Sequence, residues 1–202
     1  MRTEFLSELV GTFLMVYIGC YSIKAGYSPV IISCSFGFAV FMVILTSRKY
    51  SGAHINPAVS IAFSITGQLE KKMLIPYLIA QFTGGIIAAY LVGDFGATEF
   101  SVSTSSGIGI EILITFLLMM SIYLTIFRTD SDLIVALIVG SVVACLAFIF
   151  GTYTGASMNP ARTLGPNFIS NSISVIPIYL ISTTFGSCLA AYLVKPKISN
   201  SQ

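Results

Sequence analysis

The chain has 202 residues, of which 55% are hydrophobic and only 9% charged. A soluble domain carries about 25% charged residues, so this composition excludes a water-soluble globule and makes the bilayer the expected solvent. The net charge of +2 leaves no basic face for nucleic acid.

Six stretches are apolar enough to cross a membrane, which takes roughly 20 residues each. They run over residues 5–23, 29–46, 73–93, 108–127, 133–151 and 173–194. The first lacks a small-residue cleavage site and reads as a retained helix. Cys20, Cys34, Cys145 and Cys188 all fall inside these stretches. They are expected to be buried thiols acting as small apolar residues, with neither a disulfide framework nor a metal site. Gly11, Gly37, Gly84, Gly85, Gly140 and Gly186 also lie within the spans, where they would let helices approach closely.

Six crossings put both termini on one side. That side collects Arg2, Arg48, Lys49, Lys71, Lys72, Arg128, Lys195 and Lys197, eight of the ten basic residues. The excess predicts that both termini are cytoplasmic. Lys71-Lys72 and Lys195 with Lys197 read as anchors for their spans, in preference to a lipid-specific site.

The segment SGAHINPAVS (51–60) is echoed by TGASMNPART (154–163), with Asn56 and Asn159 lying 103 residues apart. Other features keep that offset: Glu8 with Glu111, Thr12 with Thr115, Gly52-Ala53 with Gly155-Ala156, and Phe82 with Phe185. AAYLV recurs near the end with a one-residue slip. The chain is therefore a duplication, with copies at approximately 1–93 and 104–202 around a linker at 94–103 that opens a Ser-, Thr- and Gly-rich stretch. Three spans per copy make the second copy run the opposite way through the membrane. Inverted repeats of this kind hold their site near the midplane.

After each Asn, about ten residues (57–66 and 160–170) have the length of a helix covering half the hydrocarbon core. Gly165-Pro166 is expected to end or bend the second of these early. Asn followed by Pro is the grammar of a helix start: Asn caps, and Pro at the first position forfeits no hydrogen bond. With its oxygen occupied by the cap, the amide NH₂ is left to point elsewhere. Two such half-helices meeting end to end would present two amides and two positive helix termini to one point. Irregular backbone at that depth must line a cavity or be buried in protein. Gly52, Ala53 and His54 in the first loop, and Gly155 and Ser157 in the second, are accordingly expected to line something wet. A central water oxygen accepting from both amides could not donate toward them, which would break a proton relay.

These features identify a resemblance to the major intrinsic protein family, the aquaporins and aquaglyceroporins. It extends over essentially the whole chain: six spans, two Asn-Pro-Ala boxes (Asn56, Pro57, Ala58 and Asn159, Pro160, Ala161), an intramembrane Glu in each half, and Arg162 three residues after Asn159. The resemblance implies an all-α membrane fold with six transmembrane helices and two re-entrant half-helices. It implies a passive channel in the cell membrane rather than an enzyme, needing no cofactor or metal, with water and small uncharged solutes and the lipid bilayer as its partners, and a homotetrameric assembly. It places the narrowest part of the pore at Phe36, Ala147, Ala156 and Arg162.

Water channels of the family usually carry His at the position of Ala147, and Ala leaves a wider, less polar constriction. Thr163 and Asn167 stand where glycerol channels usually carry an Asp and a basic residue. The box wording resembles the nodulin-26-like branch and its bacterial relatives, which pass water with glycerol, urea, ammonia or metalloid acids. The expectation is water permeation with leakage of small neutral solutes, through a constitutively open pore.

Several residues admit a second reading. Arg162 is either held in a structural ion pair or faces water. Glu8 and Glu111 could relay protons, but their symmetric placement favours a role in holding the N–H groups of the irregular loops. His54 could gate by protonation, or simply order its loop by a hydrogen bond. A secondary transporter can also use inverted repeats and broken helices, but it needs coupling carboxylates, and no Asp falls within a span.

Overall fold

The computed structural model describes residues 1–199, with side chains placed through Lys195. Lys197, expected to anchor the last span, lies outside the described side chains. Six long helices, α1 (Arg2–Lys24), α2 (Pro29–Ser51), α4 (Lys71–Val92), α5 (Thr104–Ile126), α6 (Asp132–Thr154) and α8 (Ile176–Ser199), surround two ten-residue helices, α3 (Pro57–Thr66) and α7 (Pro160–Ile169). A single 3₁₀ turn, Ile173–Val175, leads into α8.

All six long helices carry 18-residue windows of mean hydropathy between 1.5 and 3.0. They run beyond the apolar stretches that marked them, because polar residues continue each helix into the interface. α2 continues through Arg48 and Lys49 to Ser51 and stops where Gly52 adopts a left-handed conformation, φ 80°. α6 stops in the same way at Gly155, φ 71°. α7 does not end at Gly165-Pro166 but continues to Ile169. A residue before proline is normally pushed out of the α region partly by its own Cβ, and Gly165 has none. The missing Cβ also lets α7 lie directly on the backbone of Gly85 in α4.

Helix packing reproduces the duplication. α1 against α4 is matched by α5 against α8, α1 against α2 by α5 against α6, and α3 against α8 by α4 against α7. α2 against α6 maps onto itself and is the most extensive contact of the fold. At its centre, a Cβ on Gly37 would come 2.5 Å from the Gly140 carbonyl oxygen, and one on Gly140 would come 2.7 Å from that of Gly37. Two backbones in such contact gain dispersion and lose little side-chain entropy, which is how helices associate where lipid removes the hydrophobic drive.

The structure corrects the register of the repeat. Tyr77 donates to the Ser51 carbonyl at 2.8 Å, and Tyr179 to that of Thr154 at 2.5 Å. Gly84 packs on the Leu9 carbonyl and Gly186 on that of Ile112. The last helices of the two halves are thus related by 102 residues from their start, and the AAYLV slip is their true register. Phe82 and Phe185 are therefore not equivalent. The missing residue is taken up between α7 and α8, where Ser170–Ser172 replaces the four residues Gly67–Glu70.

The cysteines divide as well. Cys20 is buried and Cys188 half-buried, but Cys34 and Cys145 are exposed on the outer face. In lipid an exposed thiol costs no more than another small apolar group, so burial did not follow from apolarity.

Adding a methyl group at Gly37 or Gly140 should destabilise the α2–α6 contact by about 1–3 kcal/mol. Gly37→Ala and Gly140→Ala are expected to lower the apparent melting temperature in detergent, whereas Gly109→Ala, whose Cβ meets nothing within 4 Å, should leave it unchanged.

Candidate pore

The loops ahead of α3 and α7 are non-helical at mid-membrane depth, so their N–H groups need partners from protein. Two carboxylates supply them. Glu8 accepts from the backbone N–H of His54 (2.9 Å) and Ile55 (2.6 Å), and from the Ser51 hydroxyl (2.7 Å). Glu111 accepts from the N–H of Ser157 (2.9 Å) and Met158 (3.0 Å), and from the Thr154 hydroxyl (2.7 Å). Both glutamates are fully buried, and the two sets of bonds superpose under the 103-residue offset.

The bonds hold backbone that would otherwise relax. Ala53, Ile55, Ala156 and Met158 are non-glycine residues at φ between 41° and 53°, a conformation costing about 1–3 kcal/mol each when nothing over-determines it. His54 and Ser157 each lie between two of these left-handed residues, and there the N–H groups of two successive residues turn toward the glutamate.

Each loop ends in its Asn. Asn56 Oδ1 accepts from Ala58 N–H at 2.9 Å, and Asn159 Oδ1 from Ala161 N–H at 2.9 Å and Arg162 N–H at 3.3 Å. Pro57 and Pro160 take the first helical position. The amides do not simply point away, as the sequence suggested. Asn56 Nδ2 donates to the Met158 carbonyl at 2.8 Å, and Asn159 Nδ2 to the Ile55 carbonyl at 2.8 Å. Each amide thus ties its own loop to the loop of the other half. An NH₂ group has two hydrogens, so this link uses one and leaves one.

Both asparagines border a single cavity of about 220 Å³, large enough for several waters. It extends from Arg48 and Gln68 at one end to Phe36 and Arg162 at the other. Gly52, Ala53, His54, Ala156 and Ser157 line it, and Gly155 is not among its lining residues; Gly155 ends α6 and packs against Thr98. Among the described lining residues there is no carboxylate.

Phe36, Ala147, Ala156 and Arg162 all border the cavity at the Arg162 end. The Arg162 guanidinium carbon lies 4.7 Å from the centre of the Phe36 ring, a cation–π distance. Its Nη1 donates to the Gly96 carbonyl. Although Arg162 is only 4% exposed, none of the ion pairs among the described residues involves it. A buried guanidinium without an anion is tolerable only where water or carbonyls solvate it. The repeat places Val139, Ile44, Ala53 and Val59 at the corresponding points of the opposite end, and all four also line the cavity. At these four points the two ends share only the alanine: Phe36, Ala147 and Arg162 stand opposite Val139, Ile44 and Val59.

His54 shares a hydrogen bond through Nδ1 with the Ser60 hydroxyl at 3.1 Å, and its ring packs 4.7 Å from Phe63 and 5.1 Å from Tyr77. Gln81 donates to both Ser60 (2.8 Å) and Glu8 (2.7 Å). No equivalent of Gln81 reaches Glu111.

The sequence missed the part played by the linker. Residues 93–103 are not a passive connection: Gly96 and Thr98 are buried. Gly96, at φ 90°, offers its carbonyl to Arg162. Thr98 exchanges two backbone bonds with the Asn167 side chain, both at 2.8 Å, and shares a third bond with the Thr163 hydroxyl. The only cue was glycine in Asp94-Phe95-Gly96, too common to point at Arg162. Thr163 and Asn167, noted only as departures, are the residues that clasp this segment.

The fold and this site together define a membrane channel with two half-helices meeting in one cavity. The family model described as Major intrinsic protein matches residues 1–194. The chain is 32% identical over 207 residues to a probable aquaporin NIP-type of Nicotiana alata, covering 94% of this chain and 76% of that one. It is 30% identical to glycerol uptake facilitator protein-like 6 of Lactiplantibacillus plantarum, covering 95% and 96%. Its fold matches the X-ray structure of the aquaglyceroporin from Plasmodium falciparum with a TM-score of 0.87 over 98% of this chain and 99% of that one, at 24% identity. The chain belongs to the major intrinsic protein family, whose members are passive membrane channels for water and small solutes and not enzymes.

Replacing Glu111 by Gln would set an amide NH₂ among donors and leave a buried N–H unpaired, at about 1–3 kcal/mol. E111Q is expected to melt below the wild type in detergent, while E99Q, at an exposed site, should not. An E111Q protein of unchanged melting temperature would contradict the bonding described.

Proposed function

We propose that the chain forms a passive pore that conducts water, passes small uncharged solutes such as glycerol, urea, ammonia or metalloid acids, and excludes protons and ions. The observation that carries this reading is the pairing of Asn56 and Asn159 across one cavity, each cross-linked by one amide hydrogen and left with another. A water or hydroxyl oxygen between them accepts from both. Its own hydrogens must then point along the pore in opposite directions, so a proton cannot hop through the centre. The N-termini of α3 and α7, each equivalent to about half a positive charge, repel cations at the same point.

Arg162, Phe36, Ala147 and Ala156 act as the selectivity filter in this reading. Arg162 supplies the donors and the second electrostatic barrier, Phe36 an apolar wall, and the two alanines the width that admits more than water. Glu8 and Glu111 are scaffold: both oxygens of each are engaged by loop N–H groups, and neither borders the cavity, which leaves no coupling carboxylate for a secondary transporter. His54 orders its loop through Ser60. The two copies, 1–93 and 104–202, form one channel domain. The channel sits in the cell membrane with both termini cytoplasmic and assembles as a homotetramer with one pore per subunit.

Stopped-flow light scattering of reconstituted vesicles tests this directly. Water, glycerol and urea should all equilibrate faster than in empty lipid, without saturating at low millimolar concentration. Ala147→His should reduce glycerol and urea permeability by roughly tenfold, the discrimination a tight pocket extracts from a single group, with a smaller effect on water. Glycerol and urea rates equal to those of empty lipid would defeat the solute reading, and a water rate equal to it would defeat the channel.

A further inference from the structure

We infer that Gly19, which is not one of the four filter positions, sets the filter's aperture by providing the slot that holds the Phe36 ring. This rests on the filter reading above and extends it to a residue behind the filter. Gly19 is buried in α1, and a Cβ built there would fall on the Phe36 ring at Cδ1, Cε1 and Cζ. The ring therefore occupies the space a side chain would take. Its face lies under the Arg162 guanidinium at 4.7 Å. Backed by Gly19 and in contact with Arg162, the ring borders the cavity it lines. A methyl group at position 19 must displace the ring, toward Arg162 or into the cavity, and either move narrows the passage beside the guanidinium.

The second half of the repeat offers an internal control. Val139 corresponds to Phe36 and Ile122 to Gly19, and both line the cavity. A large residue at the first position is paired with no side chain at the second; a smaller residue at the first is paired with a large one. At each end of the pore the pair thus combines one larger and one smaller residue. Gly19 also adjoins Cys20, whose thiol lies 3.9 Å from Arg162 Nη1, so this step of α1 backs both polar and apolar members of the filter.

The test is Gly19→Ala in reconstituted vesicles, beside F36A and the double variant G19A/F36A. Glycerol and urea permeability should fall roughly tenfold relative to water in G19A, and the double variant should match F36A, because the displaced ring is gone. An unchanged solute-to-water ratio in G19A overturns the inference. If G19A cannot be reconstituted, the double variant alone decides: a ratio equal to that of F36A supports the inference, and a lower one overturns it, since alanine would then act without the ring. Wild-type vesicles that pass water but neither solute would overturn the solute reading alone. Gly19 is then read from water permeability, which should fall in G19A and return to the F36A value in the double variant; a fall that persists there overturns the inference.

Discussion

Everything in this fold that bears on transport depends on one constraint: two stretches of unhelical backbone lie at mid-membrane depth and must be fully hydrogen-bonded by protein. Water cannot reach the outward side of these loops, and an unpaired N–H there costs several kcal/mol. Glu8 and Glu111 take the N–H groups on that side. Carbonyls on the other side are left for the cavity or for the opposite loop. The strain at Ala53, Ile55, Ala156 and Met158 is the conformational cost of turning N–H groups one way and carbonyls the other.

The duplication makes this economical, because one solution to the backbone problem is used twice. The symmetry is followed closely where it carries backbone: serine or threonine at the helix end, glutamate, tyrosine cap and cross-linking asparagine recur in both halves. It is abandoned where the two ends of the pore must differ. Arg162 stands opposite Val59, Phe36 opposite Val139, and Ala147 opposite Ile44. The linker is the other asymmetric part: it joins the two copies, belongs to neither, and gives the Gly96 carbonyl to the buried Arg162 guanidinium.

Much of this was legible in the sequence. The spans follow from hydropathy, and the half-helices from Asn-Pro at a length of ten residues. The pairing of Glu8 with Glu111 followed from the 103-residue offset. What was not legible has physical reasons. Phe82 and Phe185 looked equivalent because a single residue is lost in a short turn, and a similarity of letters cannot locate a gap. The amide cross-links from Asn56 and Asn159 depend on which carbonyls the loops turn inward, a property of strained dihedrals that residue type does not encode. Gly19 resembled any small residue in a span. Its meaning lies in the ring of Phe36, seventeen positions away on another helix. Gly165-Pro166 misled because the usual effect of proline on its predecessor works through a Cβ that glycine lacks.

The proposed pore requires each asparagine amide to keep one hydrogen for the lumen while the other joins the two halves. An experimental structure of the lipid-embedded protein, at a resolution that orders single waters, examines this most directly. It should show a file of water density through the cavity, with one site within hydrogen-bond distance of both Asn56 Nδ2 and Asn159 Nδ2. A dry gap at that point, or amides turned so that neither hydrogen reaches the cavity, would contradict it.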